Sequence, residues 1–153
     1  MVNRPKQIGT KAETATLKRV KRFFPRADRA ALHGADDIGD LLNTGIFCFE
    51  VKGGDAARIA AQSSTSREID RWYAEARREA KAAGALIPVL VVQRRGVNYP
   101  DAGRWWAILS AADFAWIMGA RGHENPSLVR IELDDLLEII GDQGLSEEPD
   151  AAA

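Results

Sequence analysis

The stretch that most constrains this chain is residues 39 to 52, GDLLNTGIFCFEVK, in which two short apolar runs flank Asn43-Thr44-Gly45. Glycine stands where a three-residue turn needs a left-handed residue, so the local expectation is a β-hairpin. With Leu42 and Ile46 as the pair flanking the turn, Asp40 lies opposite Cys48 and diagonal to Glu50, about 7–8 Å away on a shared face. Lys52 follows Glu50 by two residues and points the same way. Phe47, Phe49 and Val51 make one face of the second strand apolar, and Ile46 and Cys48 make the other apolar as well. Charged groups at the end of such a strand call for partners. Two carboxylates so placed suit one hard cation such as Mg²⁺, which takes oxygen ligands and keeps several waters. An ammonium beside them suits a phosphate oxygen or an attacking water. In a chain with 28% charged residues, Glu-x-Lys also suits an ordinary solvated strand face.

Asp40, Glu50 and Lys52 resemble the motif of the PD-(D/E)XK nuclease superfamily, an aspartate followed on the neighbouring strand by Glu-x-Lys. A looser resemblance, from about Gly9 to about Trp106, is to the Holliday-junction resolvases of archaea and phages. Its first element is a glycine four residues before a helical glutamate, here Gly9-Thr10-Lys11-Ala12-Glu13. The resemblance implies an α/β chain of restriction-endonuclease-like fold, with a mixed central sheet flanked by helices. It further implies metal-dependent hydrolysis of DNA phosphodiesters. Asp40 and Glu50 would bind Mg²⁺ or Mn²⁺, Lys52 would orient the attacking water or stabilise the transition state, and Glu13 would complete the metal shell. The chain departs from the motif at Gly39, where a proline often precedes the aspartate. Asp36 and Asp37 are rivals for the role of Asp40, and a two- or four-residue turn would bring Asp37 onto the face of Glu50. The implied substrate is branched DNA, foremost a four-way junction. A duplex or mismatch nicking enzyme carries the same motif, and a nuclease-like DNA-binding module without catalysis is the alternative from another class.

Charge is distributed unevenly along the 153 residues. Residues 1 to 30 hold nine basic side chains against Glu13 and Asp28, while residues 131 to 153 hold eight acidic side chains and no basic one. Such polarity suits a chain that presents a basic face to phosphates, or one whose acidic end competes for that face. Lys6, Lys11, Lys18, Arg22, Arg94 and Arg95 are the expected DNA contacts. The length fits a single domain. Residues 1 to 8 read as a flexible basic arm, 9 to 142 as the nuclease domain, and 143 to 153 as a disordered acidic tail. One cysteine, Cys48, excludes an intramolecular disulfide and reads as a small core residue. With no apolar run of membrane length and no signal-peptide pattern, the expected location is cytoplasmic, in a host cell if the chain is phage-encoded.

Helical periodicity predicts a basic amphipathic helix over residues 10 to 24, stopped by Pro25, with Glu13 favoured in its first turn by the helix dipole as much as by any metal. Residues 27 to 34 read as a first strand, with His33 a polar cap at its end. A short helical piece covers 56 to 62, where Gln62 is a further candidate neighbour of the site. Thr65 and Glu68 have capping-box spacing before a long helix ending at Gly84, whose apolar positions are Ile69, Trp72, Tyr73, Ala76, Ala80 and Ala83. Glu75 and Glu79 read as part of its solvated, salt-paired side. Residues 86 to 93 read as a buried strand joined by a right-handed crossover, followed by a basic loop, a strand at 105 to 109, a helix capped by Ser110, and a last strand and helix. Trp105, Trp106 and Trp116 are candidates for a subunit interface, and the expected homodimer rests mainly on the symmetry of a four-way junction.

Overall fold

The computed structural model describes residues 4–34, 38–63 and 66–146. Asp36, Asp37, Thr65 and residues 1–3 and 147–153 lie outside them. The chain is mixed α/β, with a four-stranded sheet flanked by helices. β3 (Phe47–Lys52) runs parallel to β4 (Ile87–Val92), while β5 (Trp106–Ser110) and β6 (Leu128–Glu132) continue the sheet antiparallel. A parallel neighbour needs a crossover, and α2 (Asp55–Ala60) with α3 (Arg67–Ala83) supply it.

Alternation along the strands divides the core in two. Phe47, Phe49 and Val51, with Val89, Val91, Ala107 and Leu109, pack toward α1 (Arg4–Val20), α4 (Ala111–Ile117) and α5 (Leu133–Asp142). Leu90, Val92 and Ile108 pack toward Ala57 of α2 and toward Ile69, Trp72, Tyr73 and Ala76 of α3. Glu50 and Lys52 alternate onto this second face. β4 is buried along its whole length, as a strand covered on both sides must be.

Three expectations need correction. The first helix begins at Arg4 rather than at residue 10, taking in residues 4–8 of the expected arm; Pro5 is tolerated because the first turn of a helix needs no N–H from it. Gly53 and Gly54 let this helix dock, since an added Cβ at Gly53 would overlap Ala12 and one at Gly54 would approach Ile8 Cγ2 to 2.9 Å. The first strand is only β1 (Asp28–Arg29), followed by a 3₁₀ turn at Ala30–His33, and His33 Nε2 lies 2.9 Å from Asp28 Oδ2. The hairpin does not zip up: β2 (Leu41–Leu42) pairs with β1, not with β3. Asn43 and Gly45 both take positive φ, and the buried Thr44 hydroxyl donates to Phe47 O at 2.7 Å. Capping is also offset by one residue at α3, where Ser66 Oγ accepts from Ile69 N. At α4 the Ser110 cap forms as expected, accepting from Asp113 N at 3.0 Å.

The acidic C-terminal part closes on the basic N-terminal part. Arg19 of α1 donates to both oxygens of Asp134 in α5, at 3.0 and 2.5 Å. A Cβ at Gly103 would overlap the Asp134 carboxylate. Gly103→Ala is therefore expected to expel Asp134 and to cost about 1–3 kcal/mol, as overpacking does. A denaturant titration measures it, and Asp134→Ala in the same chain should recover most of the loss.

Trp105 is wholly buried, its indole N–H donating to Val97 O at 2.9 Å. Trp106 lies between Arg94 and Arg130, whose guanidinium carbons sit 4.2 and 5.6 Å from its ring centre, and Arg121 lies 5.1 Å from that of Trp116. These rings are occupied within the chain. Among the described residues no helix is long and apolar enough to cross a membrane.

Candidate active site

The site forms at the free edge of β3. Asp40 is fixed there by three bonds: its N–H donates to Phe49 O at 2.8 Å, its carbonyl accepts from Ala30 N at 2.9 Å, and its Oδ2 accepts from Val51 N at 2.6 Å. The side chain thus replaces a strand partner for β3, which stabilises the edge whatever else the carboxylate does. These bonds set Asp40 beside residues 49 to 51, so the expected register against Cys48 is shifted. Gly39 accounts for the departure from the proline motif. Its φ of +92° is closed to proline, and a Cβ there would lie 2.7 Å from Cys48 Sγ.

Glu50 is 5% exposed and Lys52 is half-buried beside it, with Nζ 3.1 Å from Glu50 Oε1. α3 supplies the rest. Glu75 Oε2 lies 3.4 Å from Lys52 Nζ, and a Glu79 oxygen comes within 4.8 Å of one of Glu50's. Glu79 Oε2 is buried with no partner. Glu75 and Glu79 are therefore not the solvated face of the helix. They stand three and seven positions after Trp72, inside the apolar stripe, and that periodicity is the signal that would have found them.

Burial raises the Asp40 carboxyl to about 8, with the nearby Glu50 and Glu13 adding to the rise. Burial also raises Glu50, reinforced by Glu79 and only partly opposed by Lys52. For Lys52, burial works downward, but Glu50 and Glu75 outweigh it and the net shift is upward. Burial pushes the Cys48 thiol up to about 12, as for an inert core residue.

The structure brings Asp40, Glu50, Lys52 and Glu13 to one corner. Glu13 is committed to Arg29, whose Nε lies 3.1 Å from Glu13 Oε2. Among the described residues, Glu50, Glu75 and Glu79 each bring one ligand atom within 4.8 Å of the others, and Asp40 does not join them within that span. The donor set suits a hard cation: its ligand atoms are all carboxylate oxygens, and one Glu79 oxygen is buried without a partner.

Of the expected DNA contacts, Lys6, Lys11, Lys18 and Arg22 are exposed on or just after α1, and Arg95 is exposed in the loop after β4. Arg94 is not free, since it stacks on Trp106 and lies 3.5 Å from Glu132. Gln62 is exposed, lining a surface hollow with Asp55, Arg58, Ile59 and Arg95. The buried amide near the site is Gln93, whose Oε1 accepts from Gly54 N at 2.9 Å and so fixes the chain just after Lys52.

Compared with known proteins, the chain matches no family model, no curated sequence and no solved structure.

Proposed function

We propose that this chain is a metal-dependent DNA endonuclease of the restriction-endonuclease-like kind, acting on branched DNA and foremost on a four-way junction. The observation that carries the reading is the convergence of Asp40, Glu50 and Lys52 at the edge of β3, with a pair of raised carboxyls beside an ammonium. Perturbed carboxyls gathered beside an ammonium at a sheet edge are a frequent mark of functional sites. Asp40 and Glu50 would hold Mg²⁺ or Mn²⁺, and Glu79, with an oxygen within 4.8 Å of one of Glu50's, would add a ligand on the Glu50 side. The cation would supply Lewis-acid stabilisation of the phosphoryl group and a more acidic water. Lys52, kept protonated by Glu50 and Glu75, would stabilise charge on the reacting phosphate and orient the attacking water. Glu13, tied to Arg29, holds its field on Asp40 from the α1 side.

DNA as the polymer is supported by the exposed basic face of α1 on the element that carries Glu13. Log K is expected to fall linearly with log salt, with a slope of about −0.9 per phosphate neutralised on duplex arms. Replacing Lys6, Lys11, Lys18 and Arg22 by glutamine should flatten the slope, and an unchanged slope would reject the α1 face. A homodimer follows from the two matched nicks that a four-way junction needs. Its check is light scattering with and without junction DNA, in which a species that is monomeric throughout would favour duplex nicking.

A second reading, a nuclease-like DNA-binding module without catalysis, is favoured by the engagement of Lys52 with two carboxylates at once. The deciding experiment incubates the chain with four-way junction, fork and plain duplex DNA, with and without Mg²⁺. Mg²⁺-dependent nicking of the junction is the expected result. Tight binding with no cleavage in either divalent cation would reverse the order of the two readings.

A further inference from the structure

A groove of about 530 Å³ lies between α1 and the 3₁₀ segment Tyr99–Arg104, away from the carboxylate cluster. Ala15, Tyr99 and Pro100 give it an apolar wall, and the Tyr99 ring is held edge-on against Trp105 with centroids 5.7 Å apart. Lys11 and Lys18 stand at its rim. Seven residues separate them, about 10 Å along a helix, with Thr14 between. The third cation, Arg19, is committed to Asp134 and feels Asp101 as well, so that end of the groove is electrically balanced. Lys11 and Lys18 have no carboxylate partner among the described residues, and the positive charge open to a ligand is theirs.

The groove is joined to the catalytic corner by one guanidinium. Arg29 places Nε 3.1 Å from Glu13 Oε2 and Nη2 3.5 Å from Thr10 Oγ1, and Thr10 lines the groove. Its chemistry is an aromatic and aliphatic floor of small-molecule size between two ammonium groups. A flat apolar ring with a phosphate on either side matches that pattern. A fully paired strand offers phosphates to the lysines but no base to the floor.

We infer that this groove receives an unpaired nucleotide of the bound strand, its base against Tyr99 and Pro100 and its flanking phosphates at Lys11 and Lys18. The identity of the strand as DNA rests on the nuclease reading above. Recognition of an unpaired base would then give the chain a preference for interrupted over continuous duplexes, independent of the chemistry at Asp40 and Glu50.

The test is fluorescence anisotropy in EDTA, with three labelled duplexes that are identical except at one position: fully paired, with one extra thymine, and with one extra abasic residue. The full chain should bind the thymine bulge about tenfold tighter than the abasic bulge, as one stacked base provides. Thr14→Phe, which fills the groove from an exposed position, should bring the ratio below twofold and leave affinity for the paired duplex unchanged. Tyr99→Ala should act likewise and Tyr99→Phe should keep the preference, with circular dichroism confirming each fold. Equal affinity for the two bulges, or a preference that survives Thr14→Phe, would overturn the inference. Free dTMP is the remaining arm. Micromolar binding of dTMP without preference for the thymine bulge would mean a mononucleotide site, and would overturn it too. Because these are binding measurements without a divalent cation, failure to cleave DNA would leave this inference standing, and its own failure would leave the nuclease reading standing.

Discussion

Asp40→Asn, Glu50→Gln and Lys52→Ala are each expected to lower Mg²⁺-dependent cleavage at least about a hundredfold, the scale on which a preorganised transition-state contact acts. The three variants reach the loss by different routes. Asparagine keeps an oxygen to accept from Val51 N, so Asp40→Asn should fold normally and still bind DNA. Alanine removes that acceptor and leaves the Val51 N–H of a sheet edge unpaired. Asp40→Ala should therefore cost about 1–3 kcal/mol of stability as well as activity. Glu50→Gln removes a buried acid that is already raised by desolvation and by Glu79, so its fold should be no weaker than the parent's. Lys52→Ala leaves Glu50 and Glu75 without their shared cation and should lower stability modestly while removing cleavage. Single-turnover rates on junction DNA, with melting curves for each variant, separate the two effects. Full activity in Asp40→Asn, with loss in Asp37→Asn, would move the aspartate role out of the described residues.

Without a divalent cation, thermal stability is expected to fall as pH rises from 5 to 9, by several degrees for a domain of this size. The unfolded chain binds protons at Asp40 and Glu50 only below about pH 4. The folded chain keeps its proton on Asp40 up to about 8, and Glu50 is raised with it. Between those limits the folded state holds more protons than the unfolded one, so each increment of pH removes stability until the folded pKa is passed. Below pH 4 both states are protonated and the trend stops. Glu50→Gln should flatten the slope and raise the melting temperature at pH 8.5. Millimolar Mg²⁺ should restore stability to the parent at pH 8.5 and do little at pH 5, because a bound cation replaces the proton. A melting temperature that rises through the same window, or an identical slope in Glu50→Gln, would show that these carboxyls do not titrate as their burial requires.

Elements set by strong local patterns are legible in the sequence. Trp72, Ala76, Ala80 and Ala83 announce α3, and Ser110 with Asp113 announces α4, because periodicity and capping are local in sequence. The pairing of Leu41–Leu42 was not legible. Two apolar residues fit either neighbour, and the turn after them takes positive φ at Asn43 as well as at Gly45, a conformation that asparagine permits but does not dictate. The start of α1 was hidden by Pro5, which reads as a breaker except in a first helical turn. At the site, Asp40, Glu50 and Lys52 were found by the spacing of one strand end. Glu75 and Glu79 were missed because acids on a helix rich in arginine look like surface pairs. Their helical phase relative to Trp72 carries the correct signal, and it becomes decisive only once β3 is known to place Glu50 on that side of the sheet. The engagement of Arg94 is hidden for a related reason: its partner Trp106 lies across a loop, and Glu132 lies on another strand.

Titration of the purified chain with Mn²⁺, followed by electron paramagnetic resonance of the free ion, is the most direct measurement of whether this carboxylate corner is a metal site. The expected result at pH 8 is saturable binding that is displaced by Mg²⁺, weakened at least about tenfold by Glu50→Gln and by Asp40→Asn, and left intact by Lys11→Gln. Absence of saturable binding, or binding indifferent to both Glu50→Gln and Asp40→Asn, would contradict it.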